Sequence, residues 1–246
     1  MNAAMRQMAL DLLEPAPPTL ENFVAGPNRE CAERLRAIAR GERAQRFVYL
    51  WGLSGCGRSH LLAALAASGG AGARLIRADA PPERFAFDPG VQSYAVDDVQ
   101  LLDDARQQAL FHLFNRVQAN AGCALVCAGD LPPMGLRSRE DLRTRLGAGL
   151  VFELHRLSDE DKARALRAAV AGRGVAMSDE VVPWLLTHHS RELRALFALV
   201  DALDRHALER KRPITLALVR ELLADGAGAL AARAGRRGPD GPSRAD

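Results

Sequence analysis

The chain has 246 residues, 48% of them hydrophobic, with a formal net charge of +3. That length fits one large domain or a medium one plus a small one, and the apolar share supports a packed core. A pI near 8.9 is mildly basic, short of the concentrated basicity of a dedicated nucleic-acid binder. No run reaches the ~18 apolar residues of a membrane helix, and the N-terminus lacks the charged region and apolar core of a secretory signal. A cytoplasmic protein with no membrane partner is the expectation. Cys31, Cys56, Cys123 and Cys127 have neither zinc-knuckle nor redox-pair spacing and read as reduced core residues.

In chain order, residues 1–18 end in Glu14-Pro15-Ala16-Pro17-Pro18, an extended tether behind a short apolar peptide. Within that peptide, Gln7-Met8-Ala9-Leu10-Asp11-Leu12 offers one amide side chain among alternating apolar ones, a form suited to insertion into a partner's apolar pocket. A helical pattern covers Asn28 to Arg40. Strands are expected at Phe47 to Trp51, Leu75 to Ala78, Ser93 to Val96, Ala124 to Ala128 and Val151 to Leu154, with helices such as Ala105 to Asn120 between them. This alternation predicts an α/β domain over residues 19–156, a parallel sheet with helices on both faces. After Leu157 the strands stop. Capping signals at Ser158 with Asp161, at Ser178 and at Thr215 predict a small all-α domain over 157–225. The Gly-, Ala- and Arg-rich stretch 226–246 has too little periodicity to fold and reads as a disordered tail, whose arginines offer at most a weak nucleic-acid contact.

Gly52-Leu53-Ser54-Gly55-Cys56-Gly57-Arg58-Ser59 has the spacing of a phosphate-binding P-loop, set between a strand and a helix, with arginine where that loop normally has lysine. Its glycines let backbone N–H groups turn inward, and the helix N-terminus adds partial positive charge where phosphates would sit. Ser59 is placed to ligate magnesium. The planar guanidinium of Arg58 cannot sit as a compact point charge between β- and γ-phosphates, although it can hold a phosphate by charge. Nucleotide binding with slow or conditional hydrolysis is therefore expected.

Tyr94-Ala95-Val96-Asp97-Asp98 has the form of a Walker B element, an apolar strand whose terminal acids face the phosphate crevice. Asp97 would hold the magnesium, and Asp98 is placed to polarise an attacking water. Asp130 ends a further strand near the same crevice, either as a γ-phosphate sensor or as an ordinary turn residue. Arg145 lies four residues after Asp141, which allows a local ion pair. It also suits an arginine finger completing a neighbour's active site, worth ~10³ to 10⁵ in rate. Arg191, in the helical part, suits a swing back to the nucleotide; with Arg194 three residues on, the plain alternative is that one of the two is a solvated helix charge.

These residues resemble the AAA+ family, from about Thr19 to Asp225, and within it the DnaA-like branch of replication initiators and their regulators. Leu20 to Asn28 looks like that branch's entry segment lining the nucleotide base, which brings in Phe23, Val24 and Asn28. Gly57-Arg58-Ser59-His60-Leu61 and Leu157-Ser158-Asp159-Glu160-Asp161-Lys162 are similar to the P-loop and the lid start of the regulators that inactivate DnaA. Gln7, Met8, Leu10 and Leu12 look like the family's clamp-binding peptide, with Met8 where leucine is usual. The resemblance implies that Arg145 is the finger, Arg191 the lid's sensor arginine, and the cofactors an adenine nucleotide, ADP favoured over ATP, with Mg2+. It implies docking on the DNA-loaded sliding clamp of the replisome and stimulation of ATP hydrolysis by DnaA, with DNA touched only through the clamp and self-association possible. The competing expectation is an independent AAA+ ATPase such as a helicase loader. An initiator would need a helix-turn-helix domain that residues 226–246 are too short to supply.

Overall fold

The structure, a computed structural model, describes residues 16–172, 175–189 and 192–224. The peptide Gln7–Leu12, Arg191 and the arginines after 225 lie outside them. The chain divides into two compact units at the Leu157–Ser158 boundary.

The first unit, Pro17–Leu157, is built on five parallel strands: β1 (Phe47–Trp51), β2 (Ala73–Ile76), β3 (Ser93–Val96), β4 (Ala124–Gly129) and β5 (Leu150–Glu153), in the order β2-β3-β4-β1-β5. The expected parallel sheet is present. β3 and β4 are buried along their whole length, as continuous apolar runs in a parallel sheet require. Two strands start earlier than expected. β2 begins at Ala73, paired with Ser93, and ends at Ile76 because residues 77–80 form a turn closed by Ala80 N–H to the Arg77 carbonyl. β5 begins at Leu150, although Leu154 still donates to the Trp51 carbonyl.

Alternation along β1 sorts the two faces. Val48 and Leu50 pack on helices α1 (Arg29–Ala39) and α2 (Arg58–Gly69), through Leu35, Ile38, Leu61 and Leu65. Tyr49 faces the other way, onto α3 (Asp104–Gln118) and α4 (Glu140–Gly147), through Leu110, Leu113, Leu142 and Leu146. The apolar positions of α3, Leu110, Leu113, Phe114 and Val117, recur at helical spacing and form one stripe. Its C-terminus is closed by Arg46, whose guanidinium donates to the carbonyls of Val117, Gln118, Asn120 and Cys123. The four cysteines are buried and free. Burial pushes the Cys31 thiol up to about 12, which leaves it a poor nucleophile.

The second unit is helical: α5 (Asp159–Ala171), α6 (Val181–His188), α7 (Leu193–Arg210) and α8 (residues 216–224). α5 opens on a capping box in which Ser158 and Asp161 bond each other's backbone N–H. Thr215 Oγ1 accepts from Leu218 N–H at the start of α8. Ser178 does not cap α6 with its side chain; its carbonyl accepts from Val181, and Glu180 takes the capping position with no side-chain bond. Leu166, Val181, Leu185, Leu199, Leu203 and Leu218 make the core of this unit. No helix among the described residues is long and apolar enough to cross a membrane.

Asn28, 4% exposed, donates Nδ2–H to the His155 carbonyl and accepts His155 N–H at Oδ1, both at 2.8 Å. It thereby ties the entry of α1 to the segment after β5. Asn28→Ala should leave two backbone groups unpaired and cost the first unit about 2 kcal/mol, read as a lowered midpoint in denaturant unfolding.

Candidate nucleotide site

Every strand of the sheet points its carboxyl end to one edge, and the loops after β1, β3 and β4 carry the candidate residues there. The loop after β1 runs Gly52 to Gly57 and ends where α2 begins. Gly57 has φ +104°, and a Cβ on it would stand 2.8 Å from the Phe23 ring, so only glycine fits between that ring and the helix start. Phe23 is buried and its ring lies 5.5 Å from that of His60, whose Nε2 is 3.1 Å from the Thr19 carbonyl. Cys56 uses its N–H within the loop, donating to the Leu53 carbonyl at 3.2 Å.

Arg58, the first residue of α2, has a buried Nη1 with no hydrogen-bond partner among the described residues. Its charge lies within electrostatic reach of Asp97 and Tyr49. A buried guanidinium donor left unpaired costs about 1–3 kcal/mol or more, a cost that an anion at the helix N-terminus would remove. The donor set therefore fits a phosphate. Ser59 follows and donates its hydroxyl hydrogen to the Asp97 carboxylate.

Asp97, 4% exposed, is the first residue past β3. Burial raises its pKa above the ordinary carboxylate value and neighbouring Asp98 adds to the rise, while the hydrogen bonds from Ser59 and Asp98 N–H and the charge of Arg58 oppose it. Asp98 takes a left-handed backbone, φ 51°, uncommon for a residue with a side chain and typical of functional turns. That conformation delivers Asp98 N–H to Asp97 Oδ1 at 3.0 Å. Gln100 joins the two strand ends: its Nε2 donates to Asp98 Oδ1 at 3.0 Å, and its Oε1 accepts Asp130 N–H at 3.2 Å. Asp130 is exposed at the end of β4. Nearby, the buried Tyr49 hydroxyl donates to the Leu131 carbonyl at 2.9 Å.

The structure thus brings Arg58, Ser59, Asp97, Asp98 and Asp130 together at the carboxyl ends of the strands. Ser59 and Asp97 are an oxygen pair suited to Mg2+, which is held by one or two protein oxygens with the rest from phosphates and water. Asn28 is placed differently from the expectation, as a strut between backbone segments, because His155 occupies both ends of its amide. Val24 is half-buried on the entry segment. Gln100 and Arg156, which bonds the Ser54 carbonyl, are absent from the sequence reading. Nothing in its local context marks Gln100. Arg156 had one signal, a cation just after a strand that ends at the phosphate edge.

Arg145 lies at the opposite edge. It shares a small cavity with Phe47, the first residue of β1, and with Leu125, Phe47's partner on β4. Gln118 Oε1 accepts from Arg145 Nη1 at 3.0 Å, and the rings of Phe111 and Phe114 lie under the guanidinium at 5.7 and 5.6 Å. The ion pair with Asp141 does not form, because Arg139 takes both Asp141 oxygens, at 3.1 and 2.9 Å. Arg145 borders a shallow open groove of about 760 Å³ together with Phe111, Arg139, Glu140, Asp141 and Thr144.

The family described as "Hda, lid domain" matches residues 159–223. AMPPCP-bound DnaA from Aquifex aeolicus superposes with a TM-score of 0.63 at 21% identity, over 81% of this chain and 68% of that one. Domain III of the Thermotoga maritima initiation protein DnaA gives 0.62 at 21% identity, over 86% and 98%. The chain thus has the fold of these DnaA structures, and its residues 159–223 match the Hda lid-domain family. RuvB from Thermotoga maritima, at 0.58 and 18% identity over 85% and 72%, shares the fold.

Because folded Asp97 keeps its proton to a higher pH than the unfolded carboxyl, which titrates near 3.8, stability falls as pH rises from that value through the raised folded pKa, and stays lowered above it. Asp97→Asn removes this penalty. Thermal melts of the nucleotide-free protein should place the variant close to wild type near pH 4 and at an equal or higher Tm at pH 7.

Proposed function

We propose that the chain is a regulatory inactivator of DnaA. It binds an adenine nucleotide, ADP in preference to ATP, docks on the DNA-loaded sliding clamp through Gln7, Met8, Leu10 and Leu12, and presents Arg145 to ATP-bound DnaA. DnaA then hydrolyses its ATP and replication is not re-initiated. The work is cytoplasmic, at the replisome.

The observation that carries this reading is where Arg145 sits. From Phe47 to Gly52 is five residues of extended chain, roughly 16 Å, so Arg145 and the chain's own loop are at opposite ends of β1. An arginine held there cannot reach the chain's own phosphates and is free to complete another molecule's site. The Hda-type lid and the DnaA-like core name the kind of molecule. The AMPPCP in the Aquifex aeolicus neighbour supports an adenine nucleotide in the Gly52 loop.

In its own site the chain would hold the nucleotide with the loop N–H groups and Arg58, the magnesium with Ser59 and Asp97, and the base beside Phe23, Val24 and His60. Bound magnesium supplies charge neutralisation for the phosphates. Asp98 faces Gln100, Asp130 is one strand over, and Arg191 belongs to the lid side of the reading. With arginine in place of the point-charge lysine, hydrolysis at this site is slow, which suits a protein whose nucleotide sets its conformation while another molecule's ATP is turned over.

The test is ATP hydrolysis by DnaA with clamp-loaded DNA. Wild-type chain should stimulate it. Arg145→Ala should return it to the unstimulated rate while nucleotide affinity and Tm stay as in wild type, and alanine at Gln7, Leu10 and Leu12 together should remove the clamp dependence. Stimulation by Arg145→Ala equal to wild type would sink the finger assignment. Absence of stimulation together with turnover by the chain alone would favour an independent ATPase such as a helicase loader.

A further inference from the structure

Within the Gly52 loop, Cys56 N–H donates to the Leu53 carbonyl at 3.2 Å and closes the four-residue turn Leu53-Ser54-Gly55-Cys56. Gly55, the third residue, has φ +81°, whereas Ser54 is not among the positive-φ residues. This is the type II arrangement. Type I and type II turns share their ends and differ by a flip of the central peptide, here the one joining Ser54 to Gly55. In a planar trans peptide the C=O and N–H point opposite ways, so whatever holds the Ser54 carbonyl also aims the Gly55 N–H.

That carbonyl has a partner. Arg156 Nε donates to it at 2.7 Å, and among the described residues, the turn's own neighbours aside, this same Nε is the one atom within 4 Å of a Cβ built on Gly55, at 3.9 Å. Arg156 is itself well placed. Just before it, Leu154 donates to the Trp51 carbonyl at 2.6 Å, and Asn28 bonds both backbone groups of His155. The guanidinium thus occupies the carbonyl side of the turn, and the Gly55 N–H is left pointing to the other side.

We propose that Arg156 is a positioning residue for phosphate binding: by holding the Ser54 carbonyl it selects the turn in which Gly55 N–H is aimed at the phosphate. This rests on the reading of Gly52–Ser59 as a nucleotide loop. Glycine tolerates either peptide orientation, so the sequence of the loop does not choose one. Arg156 makes the choice before any ligand arrives, and the benefit falls on the phosphates alone, leaving the base and ribose unaffected.

The test is the affinity of the full chain for ADP and for adenosine, by calorimetry, in wild type, Arg156→Met and Arg156→Lys, with thermal melts to confirm folding. Loss of a charge-assisted hydrogen bond predicts that Arg156→Met weakens ADP about tenfold and adenosine less than about twofold. The loss should persist in about 0.5 M KCl, since a direct bond is screened far less than a distant charge, and Arg156→Lys, which keeps a donor, should recover most of it. Unchanged ADP affinity in Arg156→Met, an equal loss for adenosine, or a loss that disappears in high salt would each overturn the proposal. Wild-type chain that binds ADP no more tightly than adenosine would overturn the nucleotide-loop reading and this proposal with it.

Discussion

A carboxylate at the end of a fully buried strand is the constraint around which the first unit is arranged. Asp97 is 4% exposed, and an unpaired charge there would be costly. Three groups meet it: the Ser59 hydroxyl, the Asp98 N–H, and the charge of Arg58. Two of these come from the start of α2, so the acid at the end of β3 fixes that helix against the sheet. The third requires the left-handed turn at Asp98, a strain of about 1–3 kcal/mol that persists only because its surroundings hold it. Gln100 is one of the groups that hold it. The raised pKa of Asp97 says that the balance is still unfavourable to the charge. A cation placed between Ser59 and Asp97 would complete it, and the unpaired Nη1 of Arg58 asks for an anion next door. The two deficits are complementary, and together they have the form of a metal-bound phosphate.

The opposite edge of the sheet shows a different economy. There the cations are satisfied by the protein itself: Arg46 by the last carbonyls of α3 and Arg145 by Gln118 and two aromatic rings. Arg46 and Arg145 meet on the same residue, one at the Gln118 carbonyl and the other at its side-chain oxygen. Helix α3 therefore ends in a fixed position and carries the guanidinium of Arg145 with it. Among the described residues one of that guanidinium's five N–H donors has a hydrogen-bond partner, and Arg145 lines an open groove.

Much of this was legible in the residues because it depends on local pattern. The P-loop spacing, the apolar runs of β1, β3 and β4, and the capping box at Ser158 announce themselves within eight residues or fewer. What escaped depends on groups far apart in sequence. The His155 backbone uses Asn28 from 127 positions away, which turns an expected nucleotide contact into a strut. Arg156 reaches Ser54 across 102 positions, and Arg145 finds Gln118 rather than Asp141. In the last case the i,i+4 rule identified a permissible pair correctly, but Arg139 offered Asp141 two parallel bonds and won. The early start of β2 has a related cause: the register with Ser93 sets its limits, and register is invisible in a single strand.

On the proposed reading, the two edges of one sheet serve two different ATP molecules, and the physics at each edge differs accordingly. A site that must turn over its own nucleotide needs a lysine-like point charge on the transferring phosphate and a carboxylate free to polarise water. Here the first is a guanidinium and the second is engaged by Gln100. A finger acting on another molecule needs something else, namely a cation held rigidly, with spare donors, at a surface that a partner can cover. β1 links the two edges, and it is hydrogen-bonded along its length to β4 on one side and β5 on the other. A strand so held transmits little strain, so weakening catalysis at its carboxyl end need not disturb the arginine at its amino end. That independence lets a chain keep the nucleotide-binding architecture while its own hydrolysis declines, provided that Arg145 stays where Gln118 and the Phe111 and Phe114 rings put it.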